Sequence, residues 1–492
     1  MFVVIAASFA VLLYFGNDLY HKKPPIPAKV TTPDGTVLYT GQDIRDGQNV
    51  WQSAGGQQMG SVWGHGAYVA PDWSADWLHR ESVWLLNHWA SAQFGKPYKD
   101  ISATDQAALR AKLQGEMRAN TYKPDTGELT VSADRAAAIQ AVAKHYVQLF
   151  SGAREQAELR EAYAIPGNVL RDAERRHQLT GFFFWAAWAC AANRPGETVS
   201  YTQNWPPEPL VANTPTGSSV LWSVVSFVLL LAGIGALAWY NAALKGREEQ
   251  PHDLPEKDPL LGLQPTPSMR ATLKYFWVVV ALIMAQIIMG VVTAHYGVEG
   301  NGFYGIPLAE WLPYSVTRTW HTQLAVFWIA TAWLATGLFI APAVSGHEPK
   351  YQRAGVNFLF VCLLIIVVGS MFGTWYGTRQ RMGYEMNFWF GHQGYEYVDL
   401  GRFWQLFLFV GLWVWLILMG RAMWPAFKKP GEHRHLLALF LMASTAIALF
   451  YGAGLMWGRQ THYALAEYWR WWVVHLWVEG FFEVFATVVI AF

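Results

Sequence analysis

Cysteine is nearly absent. The 492 residues hold two, Cys190 and Cys362, and no C-x-x-C occurs. That excludes covalently attached heme c, zinc ribbons and thioredoxin-type redox chemistry. Cys362 lies inside an apolar run, so no disulfide is expected. Charge is scarce as well: 14% of residues are charged and the formal net charge is +1. Such a balance gives no broad attraction to nucleic acid. Internal repeats and low-complexity tracts are also missing.

Apolar and aromatic residues fill the gap. Hydrophobic types make up 53% of the chain, with 27 Trp and 28 Phe. A helix needs roughly 20 apolar residues to cross a bilayer. Runs near 1–17, 218–241, 275–294, 317–342, 355–377, 403–424, 436–457 and 467–492 approach or exceed that length. The first is short. It has no basic leader and no small-residue cleavage site, so it reads as an uncleaved anchor. The last stops at Phe492 in mid-helix without a polar cap, which leads us to expect further chain beyond it.

Three regions follow: an anchor over 1–17, a soluble domain over 18–217 and a membrane bundle over 218–492. The soluble domain is polar, rich in Gly, Pro and Trp, and long enough to fold as one unit. Its "GFFFWAAWACAA" at 181–192 is too short to span and is expected as a buried core helix. The fold class is an all-α, multi-pass transmembrane bundle with a soluble domain on the outside. Orientation rests on Lys and Arg in short loops. The 242–274, 343–354 and 420–435 connections carry most of them and are assigned to the cytoplasm. The opposite loops carry fewer than half as many, among them Arg318, Arg379 and Arg402.

Three polar features interrupt the apolar runs. In the last, His475, Glu479 and Glu483 are spaced by four. On an α-helix each step drifts about 40°, so they share one stripe. A carboxylate near mid-membrane costs roughly 2.5–3.5 kcal/mol on insertion scales. The stripe either joins helices by polar contacts or binds a metal, with a proton-handling acid beyond. Imidazole with carboxylate suits iron better than Cu(I). His321 lies about one turn inside the outer end of its run, among small residues that would let a flat cofactor approach. It is either a packed helix-end residue or an axial heme ligand. His295 and Glu299 share a face at another outer end. They are solvated helix-end groups, or hydrogen-bond partners that take the protons of a quinol.

The stripe "HLWVEGFFE" resembles the metal-binding helix of the heme–copper oxidase relatives. Oxygen-reducing members usually carry Tyr four residues after this His. Here Glu479 stands there, followed by Glu483, the pattern of the nitric oxide reductases, whose second metal is non-heme iron. Near the other end, "WQSAGGQQMGSVWGHGAYVAPD" is similar to their cytochrome c segment. The C-x-x-C-H positions are occupied by Gly56, Gln57, Gln58, Met59 and Gly60. The surrounding frame survives at Gly64, Gly66, Ala67, Tyr68, Ala70 and Pro71. A heme-less cytochrome c-like domain fused to the catalytic part marks the quinol-dependent branch.

The resemblance implies an enzyme, a quinol-dependent nitric oxide reductase, reducing 2 NO to N2O and water. It implies heme b, heme b3, non-heme iron and calcium as cofactors, with membrane quinol as the reductant. His321 matches an axial ligand of low-spin heme b, and His295 and Glu299 match the quinol pocket. His475 and Glu479 match ligands of the non-heme iron, with Glu479 and Glu483 catalytic. Gly66, Tyr68 and Glu396, the last in "EYVD", match a calcium site between the hemes. The alternative for the glycine-rich loop is a turn with no ligand role. Partners implied are quinol, nitric oxide and the lipid bilayer; no nucleic acid is implied, and a homodimer is allowed. The setting implied is the bacterial cytoplasmic (inner) membrane, soluble domain on the periplasmic side. The family's remaining iron and heme ligands are not found before Phe492 and are expected beyond it. Two rivals stand beside this reading. A quinol oxidase would reduce O2, and Glu479 in place of Tyr speaks against it. A transporter with a carboxylate stripe would need no heme and show no Soret band.

Overall fold

Apolar runs of bilayer length have one low-cost backbone solution in lipid, the α-helix, which satisfies its own hydrogen bonds. The computed structural model describes residues 2–65, 69–244, 257, 259–429 and 433–491. It describes their side chains too, except at 2–5, 259–260, 433, 479–481 and 491. Among the described residues, seven helices are long and apolar enough to cross a membrane. They correspond to the seven expected runs from 218 onward; the run at 1–17 is not among them.

Helix α1 covers Phe2–Lys22, so the expected anchor is part of a longer helix. The Phe9 ring stacks on Phe450 at 5.4 Å and meets Trp472 at 5.8 Å. Strands β1 (Lys29–Thr31) and β2 (Val37–Thr40) lead into α2 (Gly41–Ser53). Then come α3 (Trp73–Phe94), α4 (Ala103–Arg118), β3 (Tyr122–Lys123), β4 (Glu128–Thr130) and α5 (Ala133–Ser151). Helices α6 (Ala157–Ala162) and α7 (Ala173–Ala191) complete the domain. The strands form one small sheet in the order β2-β1-β4-β3, the single departure from an all-α expectation. With two to four residues each, they are too short to carry an alternating pattern.

Residues 178–191 of α7 are all buried, as their all-round apolar character requires. Around α7 lie α2, α3 and α5. Trp73 stacks on Phe183 at 5.3 Å and Trp77 on Tyr146 at 5.4 Å. Gly47 lets α2 approach, since a Cβ there would clash with the Gln178 carbonyl. Within this core Arg135 Nε donates to Glu81 Oε1 at 2.8 Å, and Trp77 Nε1 donates to the other carboxylate oxygen at 2.9 Å.

The membrane part starts with α8 (Gly217–Leu244), none of whose residues is buried. Short α9 (Pro267–Ala271) precedes α10 (Leu273–Glu299). Helices α11 (Tyr314–Ser345), α12 (Gln352–Thr378), α13 (Tyr384–Phe390), α14 (Arg402–Phe427) and α15 (His433–Tyr451) follow. The last span is α16 (Tyr463–Trp471), a π-helical stretch over Trp472–Phe482, and α17 (Glu483–Ala491). The pairing of α10 with α11 is the most extensive in the molecule. The soluble domain sits on one end of the bundle, touching the start of α11, the end of α12 and the loops around 380, 394 and 461.

Candidate functional site

The five residues that stand where heme attachment would be made form a tongue pressed into the bundle. Gly56 has φ +53°, a left-handed conformation, and a Cβ on it would clash with the Gly394 backbone. Gln57 N donates to Gly394 O at 2.9 Å. Gln57 Oε1 accepts from Glu396 N at 2.8 Å, and its Nε2 donates to Glu467 Oε1 at 2.8 Å. The frame on either side holds the tongue in place. Buried Trp51 donates from Nε1 to Gly60 O at 2.9 Å. Asp72, the cap of α3, accepts from Ser61 Oγ at 2.8 Å and Gly64 N at 2.7 Å.

Beyond the tongue lies a charged network that the sequence reading missed. Glu396 is buried and accepts from Arg318 Nη2 at 2.7 Å. Its other oxygen is 3.2 Å from His65 Nε2. Arg470, fully buried, reaches His65 Nδ1 at 2.9 Å and Glu467 at 3.2 Å. An arginine within so apolar a stretch as "YWRWW" was the available signal. Of the three expected calcium residues, Gly66 and Tyr68 lie outside the described residues. Glu396 stands beside their neighbour His65, but its two oxygens face Arg318 and His65. The described residues alone therefore make no calcium site, and among them no group of three His, Cys, Asp or Glu could hold a metal.

Three residues on from Glu396, Asp399 is completely buried. Its Oδ2 accepts from Gln323 Nε2 at 3.1 Å, while Oδ1 has no hydrogen-bond partner among the described residues. Burial pushes its carboxyl up to about 7. Its neighbour His392, with Nε2 3.6 Å away, is pushed down to about 3 by burial. Gly394 N donates to His392 Nδ1 at 2.9 Å, so the neutral ring carries its proton on Nε2 and donates to Thr319 Oγ1 at 2.8 Å. Thr319 passes the pattern on to Ser315 O at 2.7 Å.

His321 lies between α10 and α11. Its Nδ1 donates to Gln286 O at 2.9 Å. The ring fills the space Gly290 leaves on α10, where a Cβ would come within 2.8 Å of it. Holding one nitrogen on a carbonyl fixes the ring and leaves Nε2 as the electron-pair donor, the preparation a metal-ligating imidazole needs. These residues fit an axial heme ligand.

His295 is half-buried at the end of α10, and Glu299 is exposed one turn on. Phe303 and Tyr304 lie against the His295 ring at 5.1 and 5.2 Å. Its Nδ1 is buried without a hydrogen-bond partner among the described residues. The loop behind these rings is tied to the soluble domain: Asn301 N and Nδ2 donate to the Glu161 carboxylate at 2.6 and 3.0 Å.

The stripe of the last span departs from the α-helical expectation. Residues 472–482 are π-helical, with i→i+5 hydrogen bonding, and such stretches frequently mark functional sites. His475 stacks on Trp471 at 4.3 Å. His475 and Glu483 are both exposed. The Glu479 side chain lies outside the described residues.

The chain is a multi-pass helical membrane protein topped by a helical soluble domain. Residues 27–207 match the family of nitric oxide reductase cytochrome c-like domains. Residues 270–492 match the family described as cytochrome C and quinol oxidase polypeptide I. Together the two matches indicate an oxidoreductase of the heme–copper oxidase superfamily, with a soluble domain of nitric oxide reductase type.

Proposed function

We propose that the chain is the catalytic component of a quinol-dependent nitric oxide reductase in a bacterial inner membrane, soluble domain on the periplasmic side. Each turnover takes two electrons and two protons from one quinol and converts two NO into N2O and one water. One observation carries the reading: in a nitric oxide reductase-type domain, the heme-attachment segment has become the Gly56–Gly60 tongue docked on Gly394 and Glu396. A donor that needs a covalent heme in this domain has no place to deliver electrons. A lipid-soluble donor needs none.

When bound, heme b, heme b3 and non-heme iron supply electron storage and polarise NO. His321 would hold heme b through Nε2. His475 and Glu479 would be two ligands of the iron, and Glu483 would handle protons beside it. His295 and Glu299 would accept hydrogen bonds from the quinol hydroxyls and take their protons on oxidation. Calcium near Glu396, Gly66 and Tyr68 belongs to the same proposal and carries no step.

The test is NO consumption by the purified protein with a reduced quinol against reduced cytochrome c as donor. Quinol alone should sustain turnover. Turnover driven by cytochrome c and not by quinol would overturn the donor assignment. O2 consumption that outpaces NO consumption under the same conditions would favour the oxidase reading. Glu479→Ala should abolish NO turnover while leaving the low-spin heme spectrum intact; undiminished turnover removes the ligand role.

A further inference from the structure

A cavity bordered by Met59 of the tongue lies apart from the residues proposed for heme, iron and quinol. It opens between the 163–172 loop of the soluble domain and the adjoining ends of α11 and α12, with a volume of about 650 Å³. Four arginines line it: Arg171, Arg175, Arg379 and Arg381. None of them forms an ion pair among the described residues. Two are aimed by neutral partners. Arg175 donates to Gln380 Oε1 at 2.6 Å and Met382 O at 3.1 Å. Arg379 donates to Trp311 O at 3.0 Å. Two acids also line the cavity, leaving the four arginines in excess. Asp172 is engaged as the cap of α7, accepting from Glu174 N at 2.9 Å, and Glu310 is exposed.

The cavity lies level with the ends of two candidate membrane spans. It is flanked by Tyr314, where the α11 span begins, and Thr378, where the α12 span ends. Exposed Trp311 and Tyr376 mark the level at which amphipathic rings favour the boundary between lipid and water. From the cavity an apolar track runs along α12. Arg379 lies over the Trp375 ring at 5.2 Å, and Trp375 meets Phe372 at 5.7 Å. Below Phe372 the outward face of α12 continues through Val368, Ile365, Val361 and Phe358, each at least half exposed. Their spacing of three and four makes one stripe.

Unpaired guanidiniums around one space repel one another until an anion joins them, and their planar forks suit phosphate oxygens. We propose that this cavity binds the phosphate group of a membrane phospholipid, with its acyl chains lying along the α12 stripe. The ligand is an anionic amphiphile, and the site is distinct from the quinol pocket proposed at His295.

The full chain, solubilised in detergent and stripped of loosely held lipid, provides the test. Native mass spectrometry counts the phospholipid retained and added back. Wild-type protein should bind one phosphatidylglycerol more tightly than phosphatidylcholine. Arg171→Gln with Arg381→Gln should weaken that binding about tenfold, the worth of a charge-assisted contact. These two side chains have no hydrogen-bond or ion-pair partners among the described residues, so the variant should fold, and its unfolding temperature checks this. Equal retention by wild type and variant overturns the proposal. So does equal binding of the two lipids by the wild type, an arm that needs no variant. Displacement of the lipid by millimolar inorganic phosphate would reassign the site to the free ion and overturn the lipid assignment.

Discussion

His321 donates through Nδ1 to the carbonyl of Gln286, 2.9 Å away on the neighbouring helix. That contact fixes the ring before any cofactor arrives, and Gly290 provides the room for it. His321→Ala should remove the low-spin heme from the optical spectrum, with a fall in heme per chain by pyridine hemochrome assay. Gly290→Ala should displace the ring and give a smaller loss. A spectrum unchanged in His321→Ala would rule out the ligand role.

The tongue predicts a second effect. Gly56→Ala introduces a Cβ at a left-handed φ and against the Gly394 backbone. Strain and overpacking together should cost about 2 kcal/mol or more. The unfolding temperature should drop while heme content is retained. The tongue touches no residue proposed to hold heme, so loss of heme with stability unchanged would contradict a purely structural role for it.

The soluble core offers a separate test. Arg135 and Glu81 are paired at 2.8 Å with almost no exposure. Breaking one side of a buried pair leaves a charge uncompensated, at about 3–5 kcal/mol. Glu81→Ala should therefore destabilise the domain strongly. The double change Glu81→Leu with Arg135→Met should recover much of the loss in a denaturation series, because it leaves no charge behind.

Asp399 sets a pH dependence. An unfolded aspartate ionises near pH ~3.9, whereas the buried one in the fold ionises at about 7. Between those values the unfolded chain releases its proton and the folded chain keeps it. Stability from this group is complete below the lower value and is lost as pH rises toward 7. Asp399→Asn should remove that fall in a series of unfolding temperatures from pH 4 to 8, leaving the opposite trend of buried His392, whose neutral form favours the fold as pH rises. An unchanged slope would place the titration elsewhere.

Bilayer length made the spans legible, since each run had to be long and apolar to exist at all. The α7 core was legible for the opposite reason: "GFFFWAAWACAA" was apolar all round yet too short to cross. His321 stood out by its place in a span, but its fixing by Gln286 and Gly290 depends on another helix and left no trace in its own segment. The tongue meets Gly394 and Glu396 across more than 330 residues, and no local pattern encodes such a pairing. The π-helical turn of the last span was equally hidden, because an i, i+4 spacing reads the same on an α-helix.

The left-handed turn at Gly56 bars the way back. Restoring a Cys-x-x-Cys-His run there would drive a sulfur-bearing side chain at position 56 into the Gly394 backbone. Each single replacement would loosen the lid of the bundle before any porphyrin could be tethered in compensation. Steric hindrance at this one turn thus opposes covalent heme attachment in the domain, independently of which cysteines a sequence supplies.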